Sequence, residues 1–194
     1  MSSPDAVVDT VVLRYFLMVE RVDVLIDLLG APIGVPRVVY DPEDGDAPLA
    51  QKSELRGSVE RQLRWSRDAT FEEDERAASG ERARRLAGAD ELADSGRLIV
   101  LDLDVTERTL SAQLTSPSGC KAFGLRFPLH AGEAACLALA VHRGLTLVTD
   151  DNDALTALRR LAQGPNTNGF GSSSPARPIR ICLLVLIRTG CIGK

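Results

Sequence analysis

The chain has 194 residues, 44% hydrophobic and 26% charged, which suits one domain with a sizeable core. A net charge of −4 and a pI near 5.3 count mildly against tight binding of nucleic acid through a broad basic surface, although not against a local basic rim beside an acidic site. Cys120, Cys136, Cys182 and Cys191 contain no C-x-x-C pair, and His130 and His142 are not spaced as zinc partners, so nothing points to a disulfide framework or a zinc site.

In chain order, the apolar run 6–8 ending at Asp9 predicts a buried strand. Apolar residues over 11–30 recur at helical spacing, with a break near Arg21–Val22, Gly30 as C-cap and Pro32 as stop. "IGVP", 33–36, predicts a second strand, and a further element opens at Pro36. The segment 41–50, "DPEDGDAPLA", is acidic and rich in Pro and Gly, which breaks a helix. Residues 53–96 are charged and helix-forming, and predict a pair of amphipathic helices inserted within a single domain spanning 1–194. "RLIVLDL", 97–103, predicts a third strand.

Residues 129–144 carry Ala and Leu on most faces and predict a largely buried helix ending at Gly144. "LTLV", 145–148, predicts a strand with Asp150, Asp151 and Asp153 directly after it, and 154–163 a further helix. Residues 164–178 read as a flexible loop and 179–187 as the last strand. Strands alternating with helices in this way predict a three-layer α/β/α sandwich around a mostly parallel sheet. The site is then expected beyond the carboxyl ends of the strands, at a switch point. The N-terminus lacks a basic region followed by a long apolar stretch, and no run is long enough to span a membrane. The expected setting is cytoplasmic, with no membrane partner.

Asp9 follows the first strand, Asp41 and Glu43 follow Pro36, Glu133 opens the Ala-rich helix, and the three aspartates follow the late strand. Parallel strands turn these groups toward one crevice. Carboxylates gathered there repel one another and lose solvation unless a cation fills the site. Oxygen ligands without cysteine suit Mg²⁺ or Mn²⁺, the ions of phosphate chemistry. Against this stands a simpler reading, in which each acid merely caps its local helix.

The motifs "VVDTVVLRYF", "VPRVVYDPED" and "LHAGEAACLALAVHRGLTLVTDD" occur in an order that resembles the PIN-domain family of metal-dependent ribonucleases, and "IRICLLVLIRTGCIGK" resembles the closing strand and tail of one bacterial subgroup. The resemblance covers roughly 6–50 and 97–163 together with the tail. It implies a PIN-like fold and cleavage of RNA with Mg²⁺ or Mn²⁺. Asp9, Glu133 and Asp151 would be the catalytic ligands, with Glu43, Asp150 and Asp153 as further metal ligands. Thr10 or Thr149 would position water or a phosphate oxygen. Asp151 is preferred to Asp150 because the family places its acid two residues past the threonine. Glu43 is preferred to Asp41 for its reach, since Pro42 stands where the subgroup has its second acid. Many members are toxins of toxin–antitoxin pairs, which implies a small antitoxin partner, and members often form homodimers. The alternative expectation is a degenerate, non-catalytic PIN-like module that binds nucleic acid or protein. A receiver-like or phosphatase domain would need a late lysine inside the fold, and only Lys194 at the terminus is available.

Overall fold

The computed structural model describes residues 3–30, 32–44, 48–162 and 181–183. The expected loop at 164–178, most of the expected last strand, and the tail lie outside them. Five parallel strands form one sheet: β1 (Ala6–Val8), β2 (Ile33–Pro36), β3 (Leu98–Leu101), β4 (Thr146–Thr149) and β5 (Ile181–Leu183). Their order across the sheet is β3-β2-β1-β4-β5. Between the strands lie α1 (Thr10–Met18), α2 (Val22–Leu29), α3 (Glu54–Arg67), α4 (Glu73–Asp94), α5 (Val105–Thr115), α6 (Pro117–Ala122), α7 (Ala131–Arg143) and α8 (Asn152–Ala162).

β1 is Ala-Val-Val and buried throughout, because a parallel strand between two helical layers meets apolar side chains on both faces. α7 lies across β1, β2 and β4 with α5 against it, while α1 packs on β4 and on α4, which reaches β3. The sheet is therefore covered on both sides, the three-layer α/β/α arrangement expected from the alternation of elements. Leu13, Leu25, Ile33, Leu137, Leu139, Leu147 and Leu158 are fully enclosed in the core between these layers. Each such side chain contributes roughly 1.5–3 kcal/mol through burial.

The chain runs outward from β1 to β2 and β3, then returns over the sheet to β4 on the far side of β1. The strand order reverses at the β1/β4 pair, where the register sets Val8 opposite Val148. The next residues, Asp9 and Thr149, are thereby delivered side by side at the carboxyl edge, and the Asp9 N–H donates to the Val148 carbonyl at 3.1 Å. This is the topological switch point at which open α/β sheets form their crevice.

Local structure departs from the sequence reading in two places. Residues 37–39 form a turn, and among the described residues only a single 3-10 turn, Leu49–Gln51, comes between Pro36 and the next α-helix at Glu54. Residues 105–122, for which no element was expected, form α5 and α6. Their starts are nevertheless marked chemically. Asp104 accepts the Glu107 N–H while Glu107 reaches back to the Asp104 N–H, a reciprocal cap. Ser116 accepts the Gly119 N–H ahead of Pro117.

Candidate active site

Four carboxylates stand at the N-terminal ends of four helices along the carboxyl edge of the sheet. Asp9 is the N-cap of α1, its Oδ1 accepting the Val12 N–H at 2.9 Å. Glu54 is the first residue of α3. Glu133 lies in the first turn of α7, accepting the His130 N–H at 3.0 Å. Asp151 precedes α8 and accepts the Ala154 N–H at 2.7 Å. The simpler reading, that these acids cap helices, is correct as far as it goes. Capping also explains how the acids can stand together, because the positive end of each helix offsets part of their repulsion.

Asp9 is 1% exposed, and its Oδ2 has no hydrogen-bond partner. Burial, first, and the neighbouring Asp150 charge, to a lesser degree, push its carboxyl up to about 6. The Thr149 hydroxyl and the Val12 N–H act in the opposite direction without satisfying Oδ2. Glu133 is half-buried and also raised, first by desolvation and then by the charges of Asp151 and Asp9. Beneath them the Cys136 thiol, fully enclosed and 3.5 Å from the Val8 carbonyl, is raised by burial and by the charges of Asp9, Glu54 and Glu133. These mutual effects put Asp9, Glu54, Glu133 and Asp151 in one neighbourhood.

Glu54 is the member that the sequence reading missed. Its Oε1 accepts the Gly132 N–H at 3.0 Å, and its Oε2 accepts the Thr10 hydroxyl. Gly132 leaves room for this approach: a Cβ there would come within 2.6 Å of Glu54 Oε2 and 2.9 Å of Thr10 Oγ1, so the carboxylate or the hydroxyl would have to move aside. The residue before Glu133 thus admits a carboxylate from 78 positions upstream. The available signal was Ser53–Glu54 at the start of an amphipathic run, which read as an ordinary helix start.

Glu43 does not join this group. Its side chain is exposed, 3.7 Å from Arg37, which also holds Asp41 at 2.7 Å and Asp102 at 2.7 Å. The fourth corner that the sequence assigned to Glu43 is filled by Glu54 because the "DPED" segment turns back on Arg37 instead of starting a helix. Its last residue, Asp44, acts from a distance: buried, it accepts the Ser53 N–H immediately before Glu54 and so holds the start of α3 in place. Asp150 is exposed beside Asp9, and Asp153 is half-buried in the first turn of α8. Thr10 holds Glu54 rather than standing free. Thr149 is buried, and its hydroxyl accepts the Asp151 N–H at 3.1 Å, which fixes the turn that presents Asp151.

Among the described residues no three acidic, histidine or cysteine side chains surround one point as metal ligands. The donor set nevertheless fits a hard cation: four carboxylates, one of them with a buried and unsatisfied oxygen. Compared with protein-family models, curated proteins and solved structures, the chain matches none of them.

Proposed function

We propose that this chain is a PIN-like, Mg²⁺- or Mn²⁺-dependent endoribonuclease that hydrolyses RNA phosphodiester bonds, in the role of the toxin of a toxin–antitoxin pair. The observation that carries the reading is Asp9: a carboxylate buried at the sheet's switch point, with one oxygen lacking any partner and three further acids around it. A buried charge without a partner costs several kcal/mol, and a cation would relieve that cost.

Asp9, Glu54, Glu133 and Asp151 would hold the ion, with Asp150 beside them. When bound, the ion supplies a water activated near neutral pH and a counter-charge for the phosphate. The chain's own groups provide the frame. α1, α3, α7 and α8 direct their positive ends toward the pocket, which favours a substrate phosphate as well as the carboxylates. Thr149 orients Asp151, and Thr10 and the Gly132 N–H orient Glu54.

The test is cleavage of a single-stranded RNA in Mg²⁺ or Mn²⁺ by the parent chain and by Asp9→Asn, Glu133→Gln and Asp151→Asn. The reading requires the variants to lose at least a hundredfold in rate, and unchanged cleavage would overturn it. One observation favours a second reading, a non-catalytic binding module: both oxygens of Glu54 are already engaged by Gly132 and Thr10. That reading expects RNA binding without cleavage and no response to divalent ions.

A further inference from the structure

Charge is distributed very unevenly along this chain. The segment 108–132 contains no Asp or Glu, and neither does any position after Asp153, yet these two stretches carry nine of the 23 Lys and Arg residues. In an acidic protein such asymmetry marks a surface for an anionic partner. Among the described residues, α8 of the second stretch meets the loop after α6 in the first. Arg160 of α8 donates through Nη1 to the Phe123 carbonyl at 2.6 Å and lies over Gly124, whose side-chain position the guanidinium occupies. Lys121 lies in the last turn of α6 and Arg126 follows two residues after Gly124. Among the described residues none of these three cations makes an ion pair, whereas Arg37, Arg56, Arg84 and Arg143 elsewhere are all paired with carboxylates.

The same loop exposes an aromatic ring. Phe127 is 58% exposed, the most exposed aromatic side chain among the described residues, and the Arg126 guanidinium lies 5.1 Å from its ring centre. The loop is pinned on both sides. Leu125 is buried and donates to the Cys120 carbonyl; Leu129 is buried and donates to the Leu114 carbonyl. The ring is therefore held out on an anchored tip. Three residues later, at most about 10 Å along the backbone, His130 caps α7 and its N–H donates to Glu133 of the carboxylate group.

Building on the proposed ribonuclease reading, we infer that Phe127 and Arg126, with Lys121 and Arg160, form the binding track for single-stranded RNA beside the pocket. A base stacks on the Phe127 ring, and the cations hold the backbone that enters the site. Single strands suit this surface because an unpaired base offers its flat face to an aromatic ring and a duplex does not.

The test uses the full chain in EDTA, where cleavage is suppressed, with a fluorescein-labelled single-stranded RNA 12-mer followed by anisotropy. Phe127→Ala should weaken binding by about tenfold, and removing one base at a time should locate an abasic position at which the substitution has no further effect. Arg126→Ala and Arg160→Ala should each lower the salt dependence of binding by about one. Phe127 is exposed, so its variant keeps the parent's melting temperature. Equal binding by Phe127→Ala and the parent, or equal binding of single strand and duplex, overturns the track while leaving the ribonuclease reading standing if Asp9→Asn abolishes cleavage. A parent chain that neither binds nor cleaves RNA overturns both, and capture of an acidic peptide in place of RNA overturns the track.

Discussion

Glu54 on α3 accepts a hydrogen bond from the backbone N–H of Gly132 on α7, joining two helices 78 positions apart at the mouth of the pocket. Gly132→Ala would drive a methyl group against Glu54 and Thr10. The expected cost is about 1–3 kcal/mol. Denaturant unfolding of Gly132→Ala, Glu54→Ala and the double variant checks it. The double variant should recover part of the loss, since the clash needs both side chains. Strictly additive losses would show that the two residues do not meet.

Asp9 makes stability depend on pH. Its folded value, about 6, lies above the ordinary value of 3.8, so the folded protein holds a proton that the unfolded chain releases. The contribution is fully present below pH 4 and disappears as pH rises through 6, a change on the order of 3 kcal/mol. In EDTA, Asp9→Asn should therefore melt higher than the parent at pH 7.5 and no higher at pH 3.5. A difference that is the same at both pH values would refute the assignment.

A cation in the pocket should reverse that penalty. At a hundredfold excess over its dissociation constant, Mg²⁺ or Mn²⁺ stabilises by about 2.7 kcal/mol. For a chain of this size the corresponding rise in melting temperature is roughly 5–10 °C. Thermal scans at pH 7.5 with and without the ion should show the rise in the parent and lose it in Asp9→Asn.

Asp44 should act on the pocket only through α3. Asp44→Ala leaves the buried Ser53 N–H without its acceptor and costs about 1–3 kcal/mol. Asp44→Asn, which still accepts the Ser53 N–H, should retain most of the stability. Equilibrium unfolding of the two variants separates these outcomes, and equal losses would argue against the hydrogen bond to Ser53 as the source of the effect.

Away from the pocket, Glu107 is 1% exposed and receives two bonds of 2.7 Å from Arg143 at the end of α7. Arg143→Ala would leave that acid buried without its partner. The expected cost is about 2–3 kcal/mol, below the usual figure for a fully buried pair because the Arg143 side chain is 35% exposed. Urea unfolding should recover much of it in the Glu107→Gln, Arg143→Ala double variant.

The sequence alone determined the elements whose signal is local. The apolar runs of β1 to β4, the helical spacing of α1 to α4, α7 and α8, and the break between α1 and α2 are legible because each arises from neighbours along the chain. The positions of Asp9, Glu133 and Asp151 were legible for the same reason: each stands where an apolar run gives way to a helix start. Only the tertiary structure decided the fourth corner. Glu43 and Glu54 are both acids following β2, and no local pattern separates them. The choice fell to Arg37, which draws Asp41 and Glu43 toward Asp102, and to Gly132, whose missing side chain leaves room for Glu54. Both are long-range contacts fixed by the order in which the strands lie side by side. A linear sequence carries the residues for such contacts but not the adjacency that selects among them.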